Sequence, residues 1–222
     1  MSEQISAAVL ARLRRTPTAA INDALAMSSL KGSAFGILPS RGFEDANIAG
    51  PALTVRYAPT RGHGALAKSM YDIFYEAEPG QVVVVDGGGA EYSFFGDNQA
   101  HTAKVAGMEA VVVDGYSRDV AGIRALGLPL YIKGPTTRIQ TGLYDLVGYN
   151  VPVQIGGVVV NPGDIVVGDE DGVIVIARDN LDLVLENLAV IDQLEVDLEP
   201  AIAERRPVSE IKALLARKKP RP

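Results

Sequence analysis

The sequence of 222 residues contains no cysteine and only two histidines, His63 and His101. Disulfides, zinc ribbons, iron–sulfur clusters and cysteine nucleophiles are therefore excluded, and so is a metal site built mainly of histidine. No apolar run approaches the roughly 18 residues of a membrane-spanning helix, and the amphipathic N-terminus is not typical of a signal peptide. These absences lead us to expect a soluble, cytoplasmic protein.

Positive charge is also scarce. The formal net charge is −6 and the sequence pI is about 5.0, whereas domains that bind nucleic acid usually carry a basic patch. The one basic cluster is ARKKPRP, 216–222, which is more typical of a solvated chain end than of a binding arm. We therefore expect a small molecule as the ligand, and neither a nucleic acid nor a membrane as a partner.

Apolar residues are plentiful, at 47% of the chain, and the middle of the sequence arranges them regularly. The spacing predicts strands over 81–86, 109–114 and 128–134, and helices over 97–107 and 119–127. Strand and helix alternating at short intervals indicate parallel βαβ units. Asp97 and Asp119 are the expected N-caps of the two helices.

The flanking regions follow other patterns. Residues 29–52 are rich in Gly, Pro and Ser and predict an irregular connection, whereas 65–80 predicts a helix that stops at a Pro-Gly pair. Short apolar runs separated by GG, NPGD and GDEDG over 151–179 indicate antiparallel hairpins. The prediction is a single α/β domain over 1–222, with a core of about 16–180 and a C-terminal helical arm of about 180–216.

Polar residues gather at two predicted strand-to-helix junctions, FFGDNQA (94–100) and DGYSRDV (114–120). Ligands of parallel sheets bind at the carboxyl ends of the strands, where helix N-termini offer free N–H groups and a partial positive charge. We expect the N–H groups of Asn98 and Gln99 to point toward such a ligand.

Arg118 and Asp119 stand side by side at the second junction. Arg118 has a planar fork of donors that matches a carboxylate, and Asp119 is a hard oxygen ligand suited to Mg²⁺ or Mn²⁺. Together they would hold a 2-oxo acid, since a metal bound to the keto oxygen acts as a Lewis acid and stabilises an enolate. Residue types alone leave a plainer alternative open, in which Asp119 caps a helix and Arg118 lies on the surface.

Other candidate sites are weaker. DGGGAEY (86–92) departs from the Gly-x-Gly-x-x-Gly pattern at its last position, so its glycines indicate a tight turn. GDEDG (168–172) is as acidic as a calcium loop but lacks the rest of an EF-hand, and a hairpin turn is favoured. Lys133 at a strand end could form a Schiff base, although a solvated lysine is far commoner. His101 is expected to be structural or exposed.

The stretch GDNQAHTAKVAGMEAVVVDGYSRDVAGIRALGLPLYIKG (96–134) resembles the RraA-like family. That family includes the regulator of ribonuclease E activity A and the class II 4-hydroxy-4-methyl-2-oxoglutarate/4-carboxy-4-hydroxy-2-oxoadipate aldolases. The resemblance rests on an apolar strand followed by Asp-Gly-x-x-Arg-Asp, and on a Gly-Asp pair 22 positions upstream. Similar motifs at 16–25, 48–57 and 156–176 extend it over about 16–180.

The resemblance implies a three-layer β/β/α swivelling-domain fold and a homotrimer, or a homohexamer of two trimers, with active sites at subunit interfaces. It implies that Arg118 grips the pyruvate carboxylate and that Asp119 ligates the divalent metal, Mg²⁺ first and Mn²⁺ second. Asp97 would hold a metal-bound water.

Three further positions of the implied pyruvate site are Gly96, Asn98 and Gln99, the last two through their backbone N–H groups. In the aldolases a Glu from the C-terminal helix of a neighbouring subunit helps to activate a water. Glu195 is the best match to it here, and Glu199 is the fallback.

The implied activity is metal-dependent retro-aldol cleavage of a 4-hydroxy-2-oxo dicarboxylic acid to pyruvate, with oxaloacetate decarboxylation as a side activity. Where the family usually has apolar residues after Gly-Asp, this chain has Asn98 and Gln99, so we expect a more polar pocket, with Tyr92, Phe94 and Phe95 near its mouth. Two alternatives stay open: a regulator that binds and inhibits an endoribonuclease, and a sugar-acid-pathway lyase or decarboxylase on the same scaffold.

Overall fold

The computed structural model describes residues 5–62 and 65–219. The α-helices of these residues are α1 Ala7–Arg15, α2 Thr18–Ala26, α3 Met70–Glu76, α4 Asp97–Val105, α5 Val120–Leu126, α6 Leu181–Ala203 and α7 Val208–Leu215. The strands are β1 Ser33–Ala34, β2 Leu38–Pro39, β3 Ile48–Pro59, β4 Val82–Asp86, β5 Ser93–Phe95, β6 Ala110–Ser117, β7 Leu130–Pro135, β8 Tyr144–Tyr149, β9 Val153–Ile155, β10 Val158–Val160, β11 Ile165–Asp169 and β12 Gly172–Ile176.

A large mixed sheet organises the described part of the chain. Its strand order is β1-β12-β11-β3-β4-β6-β7-β2, with β5 beside β6 and β8 beside β3. Strands β3, β4, β6 and β7 are mutually parallel, and α5 connects β6 to β7. The predicted βαβ units are therefore confirmed. The carboxyl ends of these strands meet at one edge, where the polar junctions lie.

The two faces of the parallel strands are buried differently, because successive side chains of a strand point to opposite sides. Val83 and Val85 of β4 pack with residues of α3, α4 and α5. Val82 and Val84 instead face the β9–β10 hairpin and strand β12. This gives the β/β/α layering that the resemblance implies. Behind it, α1, α2 and α6 pack on β11 and β12.

The antiparallel region has the hairpins that the sequence predicts, β9–β10 and β11–β12. GDEDG is the turn of the second hairpin. Its Asp169 accepts hydrogen bonds from the backbone N–H and the hydroxyl of Thr18, at 2.7 and 2.8 Å, and so holds the start of α2. The acidic turn therefore has a structural role.

Some predicted boundaries were wrong. Residues 29–52 are not only a connection, because they contain β1 and β2 and the first residues of β3. Helix α3 is shorter than the predicted 65–80 and begins at a capping box formed by Ser69 and Asp72. Strand β8 was not predicted because it is mostly half-buried and shows no alternation of polar and apolar residues.

The C-terminal arm is helical, as predicted, and it docks on its own domain. Buried residues recur every three or four positions along α6, including Val184, Leu188 and Ile191. Asn187 is buried in the same interface and donates hydrogen bonds to Ala24 O and Ser28 Oγ, both at 2.8 Å. Within 5–62 and 65–219, no helix combines the length and the apolar content needed to cross a membrane.

Candidate active site

The junction between β6 and α5 places Arg118 and Asp119 at the carboxyl edge of the sheet. Asp119 has a left-handed backbone, with φ 58° and ψ 27°, which is uncommon for a residue other than glycine. It occupies the N-cap position of α5, but its side chain makes no capping hydrogen bond. Asp119 is therefore the N-cap residue of α5, as the sequence predicts, but its carboxylate does not serve as the cap.

The carboxylate of Asp119 faces its neighbour instead. Its Oδ2 lies 3.3 Å from Arg118 Nε, and the two side chains are 51% exposed for Arg118 and 40% exposed for Asp119. An ion pair this exposed contributes little to stability. Both groups are therefore open to an incoming ligand.

Strand β5 holds the backbone of this junction in place. The N–H of Arg118 donates to Phe95 O at 3.2 Å and to the hydroxyl oxygen of Ser93 at 3.0 Å. The hydroxyl of Ser117 donates to Phe95 O at 2.9 Å, and both serines are buried. Sequence reasoning missed β5 and both serines. The only local signal for this strand was the change from polar to apolar residues within EYSFFG, 91–96.

Gly96 lets the next chain segment approach the Arg–Asp pair closely. A Cβ built on it would lie 3.1 Å from Asp119 Oδ2 and 3.3 Å from Arg118 Nε. The structure thus brings Gly96, Arg118 and Asp119 together. Their roles toward a ligand stay predictions.

The start of α4 lies next to this cluster. Its N-cap is one residue earlier in the sequence than predicted. Gly96, not Asp97, is the N-cap, and Asp97 is the first helical residue. Its Oδ1 accepts a hydrogen bond from the N–H of Asn98 at 2.8 Å, so a ligand at that N–H must displace the carboxylate. Gln99 lies beside them, and its side-chain Oε1 is buried without a hydrogen-bond partner among the described residues.

Two openings meet at Arg118. The inner cavity, of about 80 Å³, is lined by Tyr71, Ser93, Phe94, Phe95, Gly96, Asp97, Asn98, Gln99, Arg118 and Gln140. The outer cleft, of about 700 Å³, is lined by Ser117, Arg118, Asp119, Val120, Pro135, Thr136 and Thr137. Arg118 lines both openings.

Asp119 and Asp97 are the carboxylates that line these openings. Within the described ranges, no group of three or more His, Cys, Asp or Glu residues gathers around one point, so a structural zinc site does not fit. Mg²⁺ is usually held by one or two carboxylates and completes its shell with water and ligand oxygens. An exposed Asp119 that is not used as a cap fits a cation of that kind.

The predicted water-activating residue does not lie at this site within one chain. Glu195 is on α6, and its Oε1 lies 3.2 Å from Lys218 Nζ, which also pairs with Asp23 at 2.9 Å. The hydrogen bond to Asp23 is the main reason why the pKa of Lys218 is raised. No residue of α6 lines the inner cavity or the outer cleft. The prediction for Glu195, or Glu199 as fallback, concerns a neighbouring subunit and stays a prediction.

Of the three aromatic residues expected near the mouth, Phe94 and Phe95 contribute to the lining of the inner cavity and Tyr92 does not. The Phe94 and Phe95 side chains are fully buried in the core, and the Phe94 ring centroid lies 5.2 Å from that of Tyr57. Tyr92 is nearer the surface, with the guanidinium of Arg138 stacked 4.3 Å from its ring centroid. The lining of the inner cavity also includes the amide residues Asn98, Gln99 and Gln140.

The remaining candidates have ordinary surroundings. Lys133 Nζ lies 3.1 Å from the carboxylate of buried Asp114, which keeps the amine in an ion pair. His101 is exposed on α4, in agreement with the expectation.

The chain is similar to known proteins in both sequence and structure. The RraA-like family, described as Aldolase/RraA, matches residues 18–175. A protein of Halalkalibacterium halodurans named "Putative 4-hydroxy-4-methyl-2-oxoglutarate aldolase" is 37% identical over 180 residues, which is 80% of each chain. Protein DlpA of Legionella pneumophila is 32% identical over 205 residues, covering 88% of this chain and 32% of its own length.

Solved structures show the same fold. Streptomyces coelicolor RraAS2, described as an unusual member of the RNase ES inhibitor RraA protein family, has a TM-score of 0.78 at 27% identity, covering 86% of this chain and 96% of that chain. An uncharacterized protein from Pseudomonas syringae pv. tomato has a TM-score of 0.79 at 24% identity, covering 95% of this chain and 99% of that chain. The similar proteins thus include one that is named as an aldolase and one that is described as a member of an RNase-inhibitor family.

Proposed function

This chain belongs to the RraA-like family, and from that premise we propose that it is a carbon–carbon lyase that releases pyruvate from a 4-hydroxy-2-oxo acid. The dicarboxylic members of that class are the first substrates to test, because the name of a relative that is 37% identical points to them. The observation that carries the proposal is the Arg118–Asp119 pair, exposed at the carboxyl edge of a parallel sheet and left free of helix capping.

Arg118 binds the substrate through its C1 carboxylate. Its fork of N–H donors makes two parallel charge-assisted hydrogen bonds, which fix the plane of the 2-oxo acid. The first-turn N–H groups of α4, at Asn98 and Gln99, have no backbone carbonyl partner within their own helix and donate to the substrate oxygens. The N–H of Asn98 exchanges its present bond to Asp97 for one to the substrate.

Asp119 would hold a divalent cation, Mg²⁺ first and Mn²⁺ second, and Asp97 would hold a water of its coordination shell. When bound, such a cation supplies Lewis-acid polarisation of the 2-keto oxygen. The Arg118 guanidinium keeps the carboxylate and the keto oxygen of the substrate in one plane beside Asp119.

The reaction breaks the C3–C4 bond. The C4 hydroxyl gives its proton to a carboxylate-held water as C4 becomes a carbonyl, the bonding pair moves to C3 to give the pyruvate enolate, and the same water returns a proton to C3. A carboxylate from a neighbouring subunit, Glu195 or Glu199, activates the water. The same enolate forms when oxaloacetate loses carbon dioxide, so decarboxylation accompanies the aldolase activity.

An assay of pyruvate release tests this function. Pyruvate is coupled to NADH oxidation through lactate dehydrogenase, with oxaloacetate and 4-hydroxy-4-methyl-2-oxoglutarate as substrates, each with Mg²⁺ and with EDTA. Mg²⁺-dependent release from both is expected. Release from oxaloacetate alone would keep the enolate chemistry and change the aldol substrate, and silence with both would contradict the proposal.

The site is proposed to be complete only in a trimer or hexamer. Helices α3 and α4 expose apolar side chains along a separate groove, including Tyr75, which is 81% exposed, and Val105, which is 75% exposed. Patches of this kind commonly mark an interface. Light scattering after size-exclusion chromatography should give a mass of three or six chains, and a monomer at micromolar concentration would contradict this.

A regulatory role is the second candidate, and the similarity to a protein described as an RNase ES inhibitor supports it. The regulatory role predicts a different activity from the lyase role. The protein would bind an endoribonuclease and lower its RNA cleavage, while no 2-oxo acid is turned over. A binding assay with a purified endoribonuclease, run beside the pyruvate assay, separates the two roles.

A further inference from the structure

Two buried serine hydroxyls contact the backbone of the junction that carries Arg118 and Asp119. Ser93 is 3% exposed and Ser117 is fully buried. Each hydroxyl donates to the carbonyl oxygen of Phe95, at 2.9 Å in both cases, and the N–H of Arg118 donates to the same oxygen at 3.2 Å. A single donor would be enough to satisfy a buried carbonyl. The needs of this carbonyl therefore do not account for both hydroxyls.

The hydroxyls also hold both peptide groups of Arg118. Ser93 Oγ accepts a hydrogen bond from the N–H of Arg118 at 3.0 Å, and Ser117 Oγ lies 3.1 Å from the carbonyl oxygen of Arg118. That carbonyl belongs to the peptide bond that enters Asp119, where the backbone is left-handed, with φ 58°. Such a conformation persists where the surrounding structure fixes it. The two serines thus act on the peptide groups that set the directions of the Arg118 and Asp119 side chains.

The same two residues join the chain segments that form the walls of both openings. The N–H of Ser93 donates to Arg138 O at 2.8 Å, and the N–H of Thr136 donates to Ser117 O at 2.9 Å. Ser93 lines the inner cavity, whereas Ser117 and Thr136 line the outer cleft. A satisfied network of buried polar groups fixes one arrangement of the segments that it joins. These contacts lie within one chain, so they do not depend on a neighbouring subunit.

We propose that Ser93 and Ser117 are positioning residues of the active site. They act through Arg118 and Asp119 and not on the substrate, because their hydroxyls hold the junction so that the guanidinium and the carboxylate face one ligand. A displacement of about 1 Å in catalytic groups can cost about 100-fold in rate, whereas the loss of one buried hydrogen bond changes stability only modestly. This inference rests on the proposed lyase function and names two residues that the function requires.

Alanine variants of the two serines test the proposal against a matched control. Ser93→Ala and Ser117→Ala each remove one buried hydroxyl. Thr54→Val also removes one, because Thr54 is fully buried and its hydroxyl donates to Val151 O at 2.6 Å. Thr54 lines neither opening. The urea midpoint of unfolding should fall by similar, small amounts in the three variants.

Two further measurements separate positioning from stability. At a temperature where all the proteins stay folded, kcat/KM for pyruvate release from oxaloacetate should fall about 10-fold in each serine variant. The dissociation constant for Mn²⁺, measured without substrate from the EPR signal of the free ion, should rise several-fold, because Asp119 is no longer held toward the cation. Both values should stay at the wild-type level in Thr54→Val.

Ser93→Cys is the conservative variant. It keeps nearly the size of serine and a weak S–H donor, so its kcat/KM and its Mn²⁺ affinity should lie between those of the wild type and of Ser93→Ala. The same variant carries the test if the alanine proteins fail to fold.

Failure of this inference differs from failure of the proposed function. Wild-type kcat/KM, or wild-type Mn²⁺ affinity, in both serine variants overturns the inference and leaves the lyase function standing. Equal losses in Thr54→Val also overturn it, because the effect would then follow stability alone. A wild-type protein that binds no Mn²⁺ and releases no pyruvate overturns the lyase function, and the inference falls with it.

Discussion

The direction of the Asp119 side chain is set by its backbone conformation and not by a hydrogen bond that caps α5. Its carbonyl accepts a hydrogen bond from the N–H of Ile123 at 3.1 Å, so it ends the strand and starts α5 in a left-handed conformation. Such conformations persist where the surrounding structure over-determines them. Here the anchors are the bonds that join Arg118 to Ser93 and Phe95. The carboxylate is thereby turned away from the helix and toward the open cleft.

Replacing either member of the pair should remove turnover and spare the fold. Arg118→Ala and Asp119→Ala each lose one charge-assisted contact to the reacting end, about 2–4 kcal/mol, or about 30- to 1,000-fold in kcat/KM. Both side chains are about half exposed, so the unfolding temperature should change little in Arg118→Ala. Asp119→Ala should lower it modestly, because alanine disfavours the left-handed backbone at this position. Steady-state pyruvate release and thermal unfolding by circular dichroism measure the two effects.

Arg118→Lys is the matched control for charge. It keeps the positive charge and loses the planar fork, so its activity should fall between wild type and Arg118→Ala. Wild-type kcat/KM in Arg118→Ala or in Asp119→Ala would contradict the assignment of this site.

Gly96→Ala tests the close approach of the α4 start to the pair. Gly96 has extended dihedral angles, φ −150° and ψ 179°, which alanine adopts without strain. The added Cβ would instead press on Asp119 Oδ2 and Arg118 Nε. We expect kcat/KM to fall by about 10-fold, since small displacements of catalytic groups are costly, with little change in the free energy of unfolding. A loss of stability as large as the loss of activity would show a structural role only.

At the level of elements, the arm formed by α6 is fixed to α2 by a buried amide. Asn187 is 3% exposed and donates to Ala24 O and Ser28 Oγ. Asn187→Leu leaves the buried carbonyl of Ala24 without this donor and should lower the free energy of unfolding by about 1–3 kcal/mol. Urea denaturation measures it, and kcat in the surviving folded protein should be unchanged. Ser28→Ala, which removes one of the two acceptors, should have a smaller effect.

The elements that could be predicted from the sequence are those whose own residue pattern is enough to indicate a helix or a strand. Strands β4, β6 and β7 are near-continuous apolar runs, and their burial on both faces is visible in the sequence. Strand β5 has three residues and depends on pairing with β6, so its existence follows from a tertiary contact. The same limit applies to the site: Gly96, Arg118 and Asp119 follow from motifs, whereas Ser93 and Ser117 matter only through contacts across the fold.

At the scale of the whole molecule, the partly buried phenol of Tyr57 and the buried phenol of Tyr131 should make stability depend on alkaline pH. Burial raises the pKa of Tyr57 to about 12, and burial, followed by the charge of Asp169, raises the pKa of Tyr131. The unfolded value is about 10. The folded state keeps these phenols neutral, so their contribution to stability is full below about pH 10 and is lost as the pH rises toward 12.

The measurement is urea denaturation between pH 9 and about 12, with tyrosinate absorbance followed in parallel. The urea midpoint should fall over this range, and part of the absorbance rise should be delayed until the protein unfolds. Tyr57→Phe keeps the ring in the core and removes the phenol, so its midpoint should fall less steeply. Equal slopes in the two proteins would contradict a partly buried, neutral Tyr57.

The most direct test of the central claim is the exchange of pyruvate methyl protons for deuterium, followed by proton NMR in D₂O with Mg²⁺. An enolate-forming site exchanges these protons from pyruvate alone, so the result does not depend on which aldol substrate the protein uses. Faster loss of the methyl signal with the wild-type protein than with Mg²⁺ alone, returning to the protein-free rate in Arg118→Ala, is the predicted result. Exchange no faster than the protein-free rate, with the wild-type protein folded, would contradict the account.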